Sequence, residues 1–133
     1  MPLKPDADYS KTKTYLIAEG KHRNITTAAE ILKAARTLIS KPENWTQRAF
    51  ARTKLGGGGV ATSYRAVCFC TVGGLVKAIH DLEITGEEHP LSKLITYLET
   101  FITGEVADFN DSSTHAEVLE LFDKAIAELN KPS

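Results

Sequence analysis

Cys68-Phe69-Cys70-Thr71-Val72-Gly73-Gly74-Leu75-Val76-Lys77-Ala78-Ile79 holds both cysteines of the chain and much of its apolar centre. The fold depends on how it is read. Val67, Cys70, Thr71, Gly74, Leu75, Ala78, Ile79 and Leu82 recur at the i, i+3, i+4, i+7 spacing of one helical face. Cys68, Phe69, Val72, Gly73 and Val76 cover much of the rest, and a helix apolar nearly all round is a buried helix. Each glycine costs about 0.5–1 kcal/mol against alanine in a helix interior. That cost is tolerable where another backbone passes close by. The sequence therefore predicts a central helix over residues 65–82, crossed tightly at Gly73-Gly74. The competing reading is a strand over residues 66–72 followed by a Gly-Gly turn. Val-Cys-Phe-Cys-Thr-Val has real β-propensity, and periodicity alone does not separate the two.

Working outward, Thr27-Ala28-Ala29-Glu30 has the pattern of a capping box. It opens an amphipathic helix over 27–40 with Ala28, Ile31, Leu32, Ala35, Leu38 and Ile39 on one face and Pro42 beyond its end. On the other side, Pro90 suits a first helical position, and Leu91, Leu94, Ile95, Leu98, Phe101 and Ile102 predict a helix over 90–102 that Gly104 stops. Residues 109–114 are a cluster of turn and cap residues, and Thr114-His115-Ala116-Glu117 is a second capping box. The last helix, 114–129, has Val118, Leu121, Phe122, Ala125 and Leu129 inside. The expected fold is mainly α: one domain over 14–133 with a four-helix core, and an irregular segment at 42–63 with room for a short β-hairpin. Residues 1–13 read as a loose arm, residues 14–18 as an edge strand or docking arm, Lys21-His22-Arg23 as a solvated basic cluster and residues 86–89 as a turn.

A chain of 133 residues suits one domain. Its formal net charge is -1, so bulk charge favours neither nucleic acid nor an anionic membrane as a partner. No apolar run is long enough to span a bilayer, and the first residues lack the apolar core of a signal peptide. Two cysteines one residue apart are badly placed to bridge each other, which predicts free thiols and a cytoplasmic location.

Four landmarks run in order: Trp45-Thr46-Gln47-Arg48-Ala49-Phe50-Ala51-Arg52, Cys70-Thr71-Val72-Gly73-Gly74-Leu75, Phe109-Asn110-Asp111, and Thr114 leading into a helix. Over residues 28–126 the chain resembles a family of small bacterial and phage proteins that is a domain of unknown function. Its pattern is W-x-Q-G-x-x-A, then C-x-x-G-A-L, then N-D. The chain departs from it at Arg48, where glycine is usual, at Gly74, where alanine is usual, and in having four glycines where a longer loop is usual. The resemblance implies no activity.

The residues offer several chemistries. Cys70 near a helix start is a candidate nucleophile, with His115, His80 or His89 as base. The order Gln47, Cys70, His115 resembles that of papain-like enzymes, but Asn110 precedes His115 and the local cysteine motif differs. A buried cysteine beside glycine is the simpler reading. Cys68 and Cys70 with His80 or His89 make a poor metal set, because C-x-C departs from the usual C-x₂₋₄-C. Gly56-Gly57-Gly58-Gly59 lacks the Lys-Ser/Thr of a phosphate loop and reads as a flexible loop. The strongest constellation is polar. Trp45 needs a surface to bury its ring, and Gln47 offers an amide that complements Asn110. Trp45 and Gln47 are therefore expected to fold onto the Asn110-Asp111 turn, and these four residues are the candidate ligand-binding set. The sequence predicts no metal site, no cofactor, and no nucleic-acid or membrane partner. It favours a non-enzymatic interaction or accessory module with a protein partner or self-association. The alternative is a small cysteine-dependent hydrolase or transferase, or a small-ligand binder, at a pocket near Trp45, Cys70 and Asn110.

Overall fold

Alternating apolar positions spaced by three and four residues produce the first helix, α1 (Arg23–Leu38), whose Ala28, Ile31, Leu32 and Ala35 are buried, as is Ile39 just beyond it. The structure, a computed structural model, describes Leu3 and residues 23–84 and 90–131, the side chains of 23–26 excepted. The expectations for residues 14–18, for Lys21-His22 and for the turn at 86–89 lie outside those residues. So does most of the expected arm, although Leu3 itself packs against the core. α1 begins upstream of Thr27, so the expected capping box at Thr27 lies within the helix and does not open it.

The central stretch divides between its two readings. Ala66–Phe69 is a strand, and Cys70 is the N-cap of a helix, α2 (Thr71–Asp81). The expected helix over 65–82 is thus too long at its start. The reason is local: Cys70 is extended at φ -80, ψ -179, and its Sγ accepts from Gly73 N–H at 3.3 Å. That contact takes up one of the unpaired donors of a first helical turn. Val67, expected on the inner helical face, is half exposed because it lies on the strand.

The hairpin at 42–63 is present. β1 (Ala51–Thr53) is the middle strand of a small antiparallel sheet, flanked by β2 (Gly58–Gly59) and β3 (Ala66–Phe69). Ala51 pairs with Phe69, and both are buried. The next pair, Arg52 and Cys68, therefore faces the other side of the sheet.

The remaining helices are α3 (Leu91–Glu99), α4 (Val106–Ser112) and α5 (His115–Asn130). The chain is mainly α, with five α-helices among the described residues in place of the expected four. α4 is the addition: residues 109–112, read as a turn, end a short helix. α5 starts as the sequence predicts. Thr114 accepts from Glu117 N–H, and the Glu117 carboxylate accepts from Thr114 N–H, closing the capping box. Its Val118, Leu121, Phe122 and Ala125 join α1, α2 and α3 in one core, and the buried Tyr97 hydroxyl donates to Ala125 O at 2.7 Å. Among the described residues no helix is long and apolar enough to cross a membrane.

Candidate functional site

Asn110 is the centre of the constellation anticipated from the sequence, and it is 1% exposed. Its position at the end of α4 aims the side chain at the start of α2 and at the segment after α1. Oδ1 accepts from Trp45 Nε1–H at 2.9 Å, Thr71 N–H at 2.9 Å and the Thr71 hydroxyl at 2.8 Å. Nδ2 donates to Thr46 O and to Asp111 Oδ1, each at 3.1 Å. A side-chain amide has two donor hydrogens and two acceptor lone pairs, so this one is fully used.

Trp45 and Gln47 reach this knot because the chain after α1 turns through a 3-10 segment, Pro42–Asn44, and then runs beside β3. Thr46 N–H donates to Phe69 O at 3.0 Å. Gln47 Nε2 donates to Asn110 O and Ser113 O, each at 3.1 Å, which occupies carbonyls at the C-terminal end of α4. The expected contact of Trp45 and Gln47 with residues 109–115 is therefore present. Arg48 follows with φ 63, the left-handed region that favours glycine, and its N–H donates to Asp111 Oδ1 at 2.8 Å. This is where the sequence departs from the glycine of the pattern it resembles.

Three participants were not singled out from the sequence. Thr71 gives Asn110 two of its contacts. Ser113 offers its carbonyl to Gln47. Arg52 ties the hairpin down through Thr46 Oγ1 at 2.8 Å, Gln47 O at 3.0 Å and Gly56 O at 3.1 Å. Hydrophobic periodicity carries no trace of an arginine binding backbone carbonyls. The sole sequence signal was the polar Thr71 inside an otherwise apolar face.

Cys70 is buried, and burial pushes its thiol up from the ordinary 9.0, with the nearby Asp111 charge adding to the rise. Hydrogen bonds from Gly73 and Val72 oppose this without reversing it. His115 Nε2 lies 2.6 Å from Ile39 O. A carbonyl only accepts, so Nε2 carries the hydrogen and donates. The same ring stacks at a tilt on Trp45, with centroids 5.6 Å apart. Thiol and imidazole thus serve different contacts: Cys70 caps α2, and His115 joins the end of α1 to the start of α5. His80 is exposed beside Asp81, and His89 lies outside the described residues. Among the described residues no three His, Cys, Asp or Glu side chains group as a metal site.

Beside the knot lies a cleft of about 470 Å³. Phe50, Val72, Ala49 and Ala107 supply its apolar walls, and Arg48, Cys70, Asn110 and Asp111 its polar ones. Phe50 O closes one edge by accepting from Cys70 N–H at 3.1 Å. A Cβ on Gly73 would lie 1.8 Å from that oxygen, so glycine is required there. The tight crossing expected at both glycines belongs to Gly73 alone. A Cβ on Gly74 would meet Ala35 and Ile39 at 3.7 Å, an ordinary contact.

The chain belongs to the Family of unknown function (DUF6197), whose model matches residues 23–128. No curated protein and no solved structure matches it. The matched span contains every member of the Asn110 knot and the whole cleft lining.

Proposed function

We propose that this protein is a non-enzymatic interaction module that receives a protein partner, or a second copy of itself, on the hairpin and the outer face of its small sheet. The observation that carries this reading is where uncovered apolar side chains lie. Among the described residues the large exposed hydrophobics are Phe50 (61%), Leu55 (98%), Val60 (67%), Tyr64 (86%), Val67 (49%) and Leu82 (41%). All but Leu82 belong to the hairpin and its return into β3. Isolated exposed hydrophobics need no explanation, but a grouped set marks an interaction surface. Against an enzyme stand the raised thiol of Cys70 and the commitment of His115 Nε2 to Ile39 O.

A small-ligand binder is the second reading, favoured by the cleft. Its 470 Å³ falls among ligand pockets, which run from about 300 to 1,000 Å³. In that case Trp45, Gln47 and Asn110 hold the wall in shape, and Asp111 offers the polar contact. A cytoplasmic location and a bacterial or phage origin complete the proposal. The former is supported by the unbridged Cys68 and Cys70, the latter by the sequence resemblance.

Photo-cross-linking tests the main reading. A photoreactive amino acid at position 64, in the full chain expressed in its native host, is expected to give a discrete protein adduct. The same group at position 120, on α5, is expected to give none. No adduct from position 64, or equal adducts from both, would remove the reading.

A further inference from the structure

The face assigned to a partner also has a charge. From Asn44 to His80 the sequence carries Arg48, Arg52, Lys54, Arg65 and Lys77 and no Asp or Glu. Between Lys93 and Lys124 it carries Glu99, Glu105, Asp108, Asp111, Glu117, Glu120 and Asp123 and no Lys or Arg. The formal net charge of -1 thus conceals two blocks of opposite sign.

Two of the five cations are engaged within the fold. Arg52 binds Thr46, Gln47 and Gly56, and Lys77 pairs with Asp81 at 3.0 Å. Arg48, Lys54 and Arg65 have no ion pair among the described residues. Arg65 Nε donates to the Tyr64 hydroxyl at 3.0 Å, and its guanidinium lies 5.4 Å from the centre of that ring. The strand register separates these cations. Phe50 and Cys70 flank the Ala51–Phe69 pair at one end, where Arg48 joins the cleft lining. Lys54 and Arg65 flank the Thr53–Ala66 pair at the other. Arg48 and Lys54 are six residues apart along the chain, at most roughly 20 Å at about 3.3 Å per residue, so an extended segment of up to about six residues reaches from one end to the other.

We propose that the occupant of this face is an acidic, extended segment of a partner protein. It carries carboxylates up to about six residues apart, for Arg48 at one end and Lys54 with Arg65 at the other, and a large apolar side chain that enters the cleft. The inference rests on the interaction-module reading and specifies its partner. Asp111 lines the cleft beside Phe50, Val72 and Ala107, with Oδ1 accepting from Arg48 N–H and Asn110 Nδ2. A carboxylate beside Asp111 is repelled, so the apolar anchor enters the cleft and the carboxylate for Arg48 stays outside it, at the solvent-exposed Arg48 side chain. A nucleic acid fits less well. Leu55, Val60 and Val67 offer bases no stacking surface, Tyr64 already has Arg65 against its ring, and Phe50 is left, among the described residues, as a single exposed ring where successive bases need several. A phosphate at every nucleotide would also meet the acidic block around α4.

The test pans the full-length protein against a displayed library of random peptides about twelve residues long. The enriched peptides are then titrated by fluorescence anisotropy. The expected consensus is rich in Asp and Glu around an aromatic residue or Leu. Its affinity should fall about tenfold or more in the combined Arg48→Glu, Lys54→Glu, Arg65→Glu variant, and it should weaken as salt rises. Glu120→Lys should leave it unchanged. Bound peptide should also slow alkylation of the half-buried Cys68, which shares the outer face with Arg52. A neutral or basic consensus that Phe50→Ser abolishes would overturn the acidic assignment and leave the interaction module standing. A library that yields no binder would remove both. Tighter binding of oligothymidylate than of any peptide, or self-association in sedimentation with the triple variant monomeric, would also overturn the acidic-segment proposal.

Discussion

Adding one methyl group at each of the two adjacent glycines should move stability in opposite directions. In Gly73→Ala the new carbon falls 1.8 Å from Phe50 O, and carbon makes comfortable contact only at about 3.5 Å. The carbonyl must retreat by roughly 1.7 Å on that measure. It is backbone, it accepts from Cys70 N–H, and it leads directly into β1, so it cannot swing aside as a side chain would. Overpacking of this kind costs about 1–3 kcal/mol. The damaged Cys70 bond adds about 1 kcal/mol. Alanine returns about 0.5–1 kcal/mol of helix propensity. The net expectation is a loss of about 1–3.5 kcal/mol. In Gly74→Ala the methyl meets Ala35 and Ile39 at 3.7 Å, so the propensity gain of about 0.5–1 kcal/mol survives. A larger Gly74→Leu would overpack the same place against α1. Urea melts followed by circular dichroism read these changes. With m near 1–3 kcal/mol/M, Gly73→Ala should drop the midpoint by about 1 M or more while Gly74→Ala raises it. A Gly73→Ala protein as stable as the parent would refute the close approach of Phe50 to α2.

Asn110→Ala should cost about 3–5 kcal/mol, because it strands the Trp45 indole N–H, both Thr71 donors and Thr46 O together; a melt followed by fluorescence of the sole tryptophan reads it directly. Arg48→Gly should stabilise by about 1 kcal/mol, since φ 63 suits glycine, and a destabilised variant in the same melt would mean that the arginine side chain is structural. The Cys70 thiol should shape stability in alkali. Its folded pKa lies above 9.0, so stability is complete below that pH. Stability falls as pH rises beyond it, because the unfolded thiol loses a proton that the folded thiol keeps; Cys70→Ala should remove its share of this alkaline slope in pH-dependent melts.

Much of the helical frame was legible in the sequence because it depends on spacing. The inner faces of α1, α3 and α5 and the Thr114 cap follow from apolar period and cap chemistry. The link from Trp45 and Gln47 to Asn110 was legible for another reason: an indole and an amide next to a segment with little core of its own must find partners elsewhere. The division at Cys70 was hidden, since Val-Cys-Phe-Cys-Thr-Val satisfies the period of a helix and the composition of a strand alike. What decides it is a thiol accepting from Gly73 N–H, which periodicity does not register. α4 was hidden because Asn110-Asp111-Ser112 has turn composition, while the burial of Val106 and Phe109 and the contacts of Asn110 with Trp45 and Thr71 favour the helix. The amide set expected to bind a ligand spends its bonds within the protein, leaving the cleft beside it and the exposed sheet face open.

The claim that this face exists for a partner predicts that its apolar side chains contribute nothing to folding. The combined variant Phe50→Ser, Tyr64→Ser, Val67→Thr tests that directly when its urea melt and its partner adduct are measured on one protein, with the photoreactive group moved to position 60. Stability within about 1 kcal/mol of the parent is expected, as for surface substitutions, together with loss of the adduct that the parent gives from position 60. A variant that unfolds, or one that keeps the adduct, would contradict it.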